Sequence, residues 1–419
     1  MKRVLILMML FAVALLPVFA GGQEEAEPEG GDQEEAQPEP EQEQEPAIDS
    51  DATLLIWADE QRAPVLEDLG AEFTNTYGVE VTIQQLGFGD IRDNLKVAGP
   101  AGEGPDILVG AHDWLGELVA SGLVAPIDLG AKEGDFSDAA IQAFTYEGDL
   151  YGMPYAVENV AFVYNPDLVP EVPADFDEVL AISRELQSSG TADFGFVRQE
   201  GDPYHFFPIQ TAYGGYVFDV NPDGTYNPDA VGIDDEGSIQ AAEWLEEAVT
   251  DGLIPAGLDY DGYHVLFEGG DAAMIITGPW AIGRLNESGV NYEVAPIPGD
   301  GAPFLGVQGF MVSAFSENQA IAQAFLTEFV ATTDVMFAMY ELDGRAPAHT
   351  EALNMVEDET VASFGEAGTA GLPMPAIPEM SAVWTAWGDA VTLIMQEQVG
   401  GDEAFENAAQ QIRETIAGN

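Results

Sequence analysis

The feature that most constrains the fold is an alternation of short apolar runs with segments of helical periodicity, which begins at Thr53. The apolar runs TLLIWA (53–58), VEVTI (79–83) and PDILVG (105–110) predict three strands. Between the first two runs, apolar residues recur at helical spacing, namely Leu66, Leu69, Phe73 and Tyr77. Strands that alternate with helices predict an α/β fold in which helices cover a parallel sheet.

A second region of this kind extends from about Val160 to Phe310, and the segment after it is mostly helical. A chain of 419 residues is too long for one ordinary core. We therefore predict two globular units.

The N-terminus has the composition of an export signal. Lys2 and Arg3 precede an apolar run from Val4 to Leu16, and Val18-Phe19-Ala20 precedes a cleavage point. We predict a signal peptide over residues 1–20 and a soluble periplasmic or extracellular protein, because no later run is long and apolar enough to span a membrane. The chain has no cysteine, which excludes disulfides, thiolate chemistry and a lipid-anchored N-terminal cysteine.

Residues 21–51 consist almost entirely of Glu, Gln, Pro and Gly. Such a segment cannot bury enough apolar surface to order itself, so we predict an acidic disordered linker. The whole chain carries 75 acidic residues against 11 Lys and Arg, a formal net charge of −64. This charge excludes nucleic acid as a partner. It is typical of a saline habitat, an acidic niche or a lineage bias.

Signals for catalysis and cofactors are missing. No Gly-Lys dipeptide occurs, so a phosphate-binding loop is excluded, and GFGDIR has Arg92 where a dinucleotide fingerprint needs its third glycine. The four histidines lack paired-ligand spacing, and no GxSxG elbow is present. We therefore expect no metal, no cofactor and no catalytic centre.

Aromatic and carboxylate side chains instead recur near the ends of predicted strands, where ligands of open α/β sheets bind. Rings cover the apolar faces of a pyranose, and carboxylates bind its hydroxyls. The set therefore predicts a sugar groove. Its members are Trp57, Asp113, Trp114, Glu158, Asp202, Tyr204, Tyr260, Trp280 and, on a late helix, Trp384.

Trp280 lies in the stretch MIITGPWAIG, in which Met274 to Ile276 predict a short buried strand. Pro279 suits the first position of a helix because its missing N–H would have no partner there. Trp280 is therefore predicted at a strand-to-helix corner. From this stretch alone, burial in the core is as good an interpretation as a role in binding.

Five blocks, in order along the chain, resemble the periplasmic maltose/maltodextrin-binding proteins of ABC importers, within the extracellular solute-binding protein family. The blocks are GPDILVGAHDWLGELVASGLV (104–124), GMPYAVENVAFVYNPDLVP (152–170), DPYHFFPIQTAYGGY (202–216), DAAMIITGPWAIG (271–283) and PMPAIPEMSAVWTAW (373–387). The resemblance implies a two-lobed α/β fold, each lobe a mainly parallel sheet flanked by helices, with discontinuous lobes and a multi-segment hinge. The N-terminal lobe would comprise 52–157 and 312–357, and the C-terminal lobe 158–311 and 358–419.

The resemblance also implies roles for single residues. Asp113, Glu158 and Asp202 match hydroxyl-binding acids. Tyr204, Trp280 and Trp384 match stacking aromatics, and Tyr260, Arg62 and Met374 match other pocket positions. Gln308 is placed to reach the cleft from a crossing strand, with a structural amide as an equally good alternative. Each acid has a structural alternative: Asp113 as a helix N-cap, Glu158 as a hinge hydrogen-bond acceptor and Asp202 as a helix start.

The chain departs from the pattern at Gly110 and Trp114, where the family has tryptophan and arginine, and at Gly388, where it has arginine. These departures leave glucan length and linkage open. Trp387 is at helical spacing with Val383 and Ala390, which favours core packing.

We expect a monomeric, non-enzymatic solute-binding component that delivers maltodextrin-type oligosaccharides to an ABC permease. A polyamine or other cation binder is the first alternative, because carboxylates and rings also cage ammonium groups. A secreted glycosidase is the second.

Overall fold

The computed structural model describes residues 52–222 and 225–418, which belong to one compact unit. The predicted signal peptide and acidic linker lie outside the described residues. In the described part of the chain, no single helix is long and apolar enough to cross a membrane. Two consecutive helical segments, Gln319–Val330 and Thr333–Asp343, meet that criterion only as a pair, and they are bent by 83°.

The described residues form short strands of two to ten residues. In chain order these are β1 (Thr53–Ala58), β2 (Glu80–Gln85), β3 (Ile107–Ala111), β4 (Val124–Ala125), β5 (Thr145–Tyr146), β6 (Asp149–Leu150), β7 (Gly152–Glu158), β8 (Ala161–Tyr164), β9 (Phe194–Phe196), β10 (Phe218–Val220), β11 (Tyr226–Val231), β12 (Ala272–Thr277), β13 (Glu293–Ala295), β14 (Phe304–Ser313), β15 (Ala346–Pro347) and β16 (Leu372–Pro373).

The α-helices, in chain order, are α1 (Ala63–Tyr77), α2 (Phe88–Ala101), α3 (Leu115–Ala120), α4 (Asp138–Ala143), α5 (Phe176–Ser189), α6 (Phe207–Ala212), α7 (Glu236–Thr250), α8 (Tyr260–Glu268), α9 (Ile282–Ser288), α10 (Gln319–Ala324), α11 (Thr333–Asp343), α12 (Thr350–Leu353), α13 (Glu359–Ala367), α14 (Ser381–Met395) and α15 (Gly401–Gly418). A π-helical segment, Phe325–Val330, continues α10.

The acidic composition contributes to where helices begin. The carboxylates of Asp175, Asp235, Asp259 and Asp358 each accept a backbone N–H in the first turn of α5, α7, α8 and α13. An aspartate at this position satisfies an otherwise unpaired donor and interacts favourably with the helix dipole.

Two larger sheets organise the chain. The first has the order β15-β7-β14-β3-β1-β2, with β4 and β16 also paired to β14, and the second has the order β13-β8-β12-β9. The chain passes from the first sheet to the second between β7 and β8 and returns between β13 and β14. The first sheet is therefore assembled from two separate stretches of sequence, and the second sheet from the stretch 161–295 that is inserted between them, in agreement with a two-lobed α/β fold. The residue boundaries of the lobes stay a prediction.

The expectation that each sheet is mainly parallel is wrong in its detail, because both sheets are mixed. In the first sheet β1 pairs in parallel with β2 and β3, whereas β14 is antiparallel to both β3 and β7. The reason is that β7 carries the chain out of this sheet and β14 brings it back in the opposite direction. In the second sheet, β8 enters from the first sheet and is likewise antiparallel to β12 and β13.

The register of the first sheet gathers three strand ends at one edge. Gln308 of β14 is opposite Ala111, the last residue of β3, and Gly306 is opposite Glu158, the last residue of β7. The end of β1 lies beside β3, with Trp57 paired to Leu108. Side chains that follow these strands therefore come close together although they are far apart in sequence.

Candidate functional site

A cavity of about 510 Å³ lies at this edge of the first sheet. Ten of the twelve predicted ligand-binding residues line it: Arg62, Asp113, Trp114, Glu158, Tyr204, Tyr260, Trp280, Gln308, Met374 and Trp384. Its volume is in the range of ~300–1,000 Å³ that is usual for small-molecule sites. The other two predicted residues, Trp57 and Asp202, do not line the cavity.

One wall, which we call the polar wall, comprises Arg62, Glu158, Gln308 and Arg345. Gln308 Nε2 donates to Glu158 Oε1 at 2.8 Å, and the Arg345 guanidinium pairs with the other carboxylate oxygen. Burial by itself would raise the pKa of Glu158, but the charges of Arg345 and Arg62 and the Gln308 hydrogen bond outweigh it and lower the pKa. Glu158 is therefore ionised at neutral pH.

Arg62 and Arg345 share further acidic partners below the cavity. Arg62 pairs with Asp59 and donates from Nε to Tyr155 Oη at 2.5 Å, and Tyr155 donates to Asp343 at 3.1 Å. Arg345 Nη1 is 3.3 Å from the same Asp343 carboxylate. The side chains of this network are at least nine-tenths buried. Each buried charge therefore has an opposite charge and hydrogen bonds, without which burial would be costly.

Asp113 is in a single turn of 3-10 helix, His112–Trp114, that follows β3. Its Oδ2 accepts the indole N–H of Trp384 at 3.0 Å, and its side chain makes no capping hydrogen bond to α3. The helix-cap alternative for Asp113 is therefore wrong. Burial raises the pKa of Asp113 to about 7, against the opposing effects of Arg92 and of the Trp384 hydrogen bond.

His112 fixes the segment next to Asp113. Its Nδ1 accepts the backbone N–H of Val307 at 3.1 Å, and its Nε2 is 3.2 Å from the carbonyl oxygen of Met374. Burial lowers the pKa of His112 to about 4, so the ring is neutral at pH 7 and Nε2 carries its proton. This histidine ties β3, β14 and the Met374 segment together beneath the cavity.

A second wall, which we call the aromatic wall, comprises Tyr204, His205, Tyr260 and Trp280, which lie in segments between strands of the second sheet. Trp280 is in the 3-10 turn Pro279–Ala281 between β12 and α9, at the corner predicted from sequence. Its ring centroid is 6.3 Å from that of Tyr204 and 5.8 Å from that of His205. The Arg345 guanidinium lies 5.0 Å from the Trp280 ring, so the two walls meet there.

Trp384 approaches the cavity from α14. Its ring stacks on Trp387 at 6.2 Å with an interplanar angle of 18° and lies 6.1 Å from Phe304. Trp387 itself is fully buried, which confirms the core position that its helical spacing predicts. The stack holds Trp384 so that its N–H reaches Asp113.

Asp202 and Trp57 serve as supports instead of lining the cavity. One Asp202 oxygen accepts the backbone N–H of Tyr204 at 2.8 Å, and the other pairs with the His205 ring. The helix-start alternative for Asp202 is wrong, because α6 begins at Phe207 with Phe206 as its N-cap; the carboxylate instead fixes the turn that leads into α6. Trp57 is 3% exposed and donates to Gln84 Oε1 at 3.0 Å, because its side chain points toward β2.

Four polar atoms of the lining have no hydrogen-bond partner among the described residues. They are Arg62 Nη2, Tyr204 Oη, His205 Nε2 and Gln308 Oε1. Three of the four are on side chains whose orientation is fixed, since the other polar atoms of Arg62, His205 and Gln308 are engaged with neighbours. Such groups are costly to bury without a partner, and they suit a ligand that carries several hydroxyls.

Sequence reasoning missed several lining residues, notably Arg345, His205, Phe88 and Arg92. The one sequence feature that distinguishes Arg345 is that basic residues are rare in so acidic a chain. Phe88 and Arg92 lie one helical turn apart near the start of α2, in the GFGDIR stretch considered only as a nucleotide fingerprint. Nothing local marks His205, whose position depends on Asp202 and on the second sheet.

The charges of the lining are nearly balanced. It contains the acids Asp59, Glu60, Asp113 and Glu158 and the arginines Arg62, Arg92 and Arg345. Within residues 52–222 and 225–418, no group of three or more histidine, aspartate or glutamate side chains is arranged to hold a metal ion. The cavity therefore offers rings and hydrogen-bonding groups with little net charge.

Comparison with known proteins points to one family. A family model described as bacterial extracellular solute-binding protein matches residues 68–366. A galactooligosaccharide-binding protein of Bacillus subtilis (strain 168) is 31% identical over 85% of this chain and 88% of its own length. A maltotriose-binding protein of Pyrococcus abyssi (strain GE5 / Orsay) is 31% identical over 83% and 79%. A maltodextrin-binding protein of Bacillus subtilis (strain 168) is 30% identical over 80% and 84%.

The relatives cover 80–85% of the chain, and the family model covers residues 68–366. Both agree with the two-lobed α/β fold. The chain therefore belongs to the bacterial extracellular solute-binding protein family.

Proposed function

We propose that this protein is the exported, oligosaccharide-binding component of an ABC importer, and that it binds maltodextrin-type glucans in the cavity. The observation that carries the proposal is the convergence, among the residues that line one cavity, of aromatic rings with four unpartnered polar atoms. Pyranose rings present apolar C–H faces and a rim of hydroxyls. Rings and hydrogen-bonding groups on the two walls match those two surfaces.

Delivery to a permease would follow from closure of the two lobes around the sugar. Because the polar wall follows strands of the first sheet and the aromatic wall lies in segments between strands of the second, a ligand between them contacts both lobes. Such contacts favour the closed state over the open one. The predicted lobe boundaries and the expected monomeric state belong to this proposal.

The proposal also specifies the sugar, a maltodextrin and not a galactooligosaccharide. Two of the relatives cited above are named for maltotriose and maltodextrin binding, and one for galactooligosaccharide binding. The resemblance of the five sequence blocks to maltose/maltodextrin-binding proteins supports a maltodextrin.

A polyamine binder needs carboxylates that keep their charge uncompensated. In this cavity Glu158 is paired with Arg345, and Asp59 is paired with Arg62. Asp113 is held partly neutral by its raised pKa of about 7. The paired charges favour a neutral solute.

A glycosidase needs one carboxylic acid to donate a proton and a second carboxylate to act as base or nucleophile. Both oxygens of Glu158 are engaged, one by Gln308 and the other by Arg345. That arrangement suits binding, in agreement with relatives that are named as binding proteins.

Isothermal titration calorimetry of the mature protein against maltotriose, a β-linked galactotriose and spermidine tests the proposal. We expect saturable heat with maltotriose, weaker heat with the galactotriose, and none with spermidine. Tighter binding of the galactotriose would overturn the choice of glucan, and heat from spermidine alone would overturn the sugar proposal. Release of reducing ends from maltodextrin would instead favour the glycosidase.

A further inference from the structure

Two of the indoles in the cavity each fold back over a glycine that precedes them in the chain. We propose that Gly278 and Gly110 are positioning residues, whose missing side chains set the orientation of Trp280 and Trp114. The effect on affinity rests on the proposed function, whereas the effect on ring orientation does not.

Gly278 connects β12 to the turn that contains Trp280. Its backbone has φ −111° and ψ 178°, an extended conformation that any residue adopts, so the glycine is not required by its backbone angles. A Cβ built on Gly278 would lie less than 3.0 Å from three atoms of the Trp280 six-membered ring. Real Cβ atoms essentially never show such separations, so a side chain at 278 and this ring position are incompatible.

The ring of Trp280 has little freedom to move aside. The Arg345 guanidinium lies 5.0 Å from its centroid, the His205 ring meets it edge to face at 89°, and Tyr204 packs at 6.3 Å. Arg345 and His205 are in turn held by Glu158 and Asp202. A substituent at 278 would therefore displace the indole or disturb both walls.

Gly110 stands in the same relation to Trp114. Gly110 is in β3, and a Cβ on it would lie less than 3.0 Å from two atoms of the Trp114 ring. Phe88 packs against that ring with centroids 4.7 Å apart, and the Arg92 guanidinium lies 5.9 Å from it. The strand-end glycine thus lets the indole lie flat over the backbone at the floor of the cavity.

The two residues before Trp280, Gly278 and Pro279, therefore have different roles. Pro279 favours the tight turn that follows β12, and Gly278 leaves the space into which the ring turns. A larger residue at 278 would keep the fold but rotate the face that the indole presents to a ligand.

The test compares Gly278→Ala with the control Gly283→Ala. Gly283 is a helix glycine five positions later, and a Cβ added to it would meet nothing within 4 Å. We expect Gly278→Ala to change the near-ultraviolet circular dichroism of the tryptophans and to weaken maltotriose binding at least tenfold. We expect Gly283→Ala to change neither. In a Trp280→Ala background, Gly278→Ala should have no further effect on either measurement.

Unchanged dichroism in Gly278→Ala, or an effect of equal size in the Trp280→Ala background, would overturn the proposal. If Gly278→Ala fails to fold, the double variant that also carries Trp280→Ala should fold, and failure of both would overturn it too. Gly110→Ala tested alone and with Trp114→Ala gives the same comparison at the second site. A wild-type protein that shows no heat with maltotriose would remove the proposed sugar ligand but leave the dichroism test intact.

Discussion

The polar wall and the aromatic wall of the cavity differ in what holds their side chains in place. Arg345 of the polar wall contacts three polar side chains, those of Glu158, Gln61 and Asp343. The Trp280 side chain makes no hydrogen bond among the described residues and is held by packing against Tyr204, His205 and the Arg345 guanidinium. The polar wall is thus tied into the fold through charge pairs, whereas Trp280 is held by packing contacts.

We therefore expect substitutions in the polar wall to lower mainly the stability of the fold, and substitutions in the aromatic wall to lower mainly the affinity for the ligand. Removing a member of the polar wall leaves a buried opposite charge without its partner, so the main cost falls on the folded state. Removing a ring of the aromatic wall takes away contact area with the ligand. It leaves few buried polar groups without a partner, so the main cost falls on binding. The predictions below test this separation.

The largest effect is expected for Arg345→Gln. It leaves the buried Glu158 and Asp343 carboxylates without their shared cation, so the free energy of unfolding should fall by about 3–5 kcal/mol. Urea denaturation measures it. Arg184→Gln is the matched control, since Arg184 pairs with Glu247 and Asp251 at the exposed surface, where the loss should be below ~1 kcal/mol. Equal losses of unfolding free energy in the two variants would contradict the prediction that the polar wall stabilises the fold.

Next in size is the loss of affinity in Trp280→Ala. We expect maltotriose binding to weaken about 100-fold, or ~2.8 kcal/mol, with little change in the melting temperature. Trp57→Phe is the control, because Trp57 is buried outside the cavity lining. A similar loss of affinity in both variants would argue that the aromatic wall has no special role.

A smaller effect is expected for Gln308→Leu, which removes the unpartnered acceptor Oε1 and the hydrogen bond to Glu158. Affinity for maltotriose should fall about tenfold, the value of one or two hydrogen bonds. Gln210→Leu is a close control because Gln210 is also buried with an unpartnered Oε1, but lies away from the cavity. Calorimetry that shows equal affinity for both variants would remove Gln308 from the site.

The smallest effect concerns pH and Asp113. Because burial raises its pKa to about 7, Asp113 changes from acid to carboxylate between pH 6 and 8. The carboxylate accepts a sugar hydroxyl more strongly, so affinity should rise about fivefold over this range. The same titration lowers the stability of the free protein as pH rises, since the folded state disfavours the ionised form.

Asp113→Asn should abolish this pH dependence of affinity. Glu158, an acid that faces Asp113, stays ionised over this range because its pKa is lowered. A pH dependence that persists in Asp113→Asn would show that a group other than Asp113 causes it.

Much of the fold was predictable because local patterns determine it. The run TLLIWA is β1 residue for residue, and PDILVG overlaps β3. The corner at Trp280 was predictable because Pro279, which favours a helix start, follows a short apolar run. The antiparallel insertion of β14 was not, since no local signal records that a strand returns from another sheet.

The candidate site divides in the same way. Trp280 and Glu158 were recognisable from the sequence as strand-end residues. The hydrogen bond between Trp384 and Asp113 was not predictable, because the two residues are 271 positions apart. Trp57 and Asp202 have the same local signature as the lining residues, but their side chains turn toward Gln84 and His205. Sequence position identifies a strand end and leaves undecided which way its side chain points.

The sequence by itself determined the α/β class, the positions of several strands, the family and a pool of rings and acids near the strand ends. These follow from periodicity and backbone preference, which act over a few residues. Only the tertiary structure decided which members of that pool face one cavity, which arginine neutralises Glu158 and which glycines make room for the indoles. Those outcomes depend on distances between segments that are remote in sequence, and the packing of the two sheets sets them.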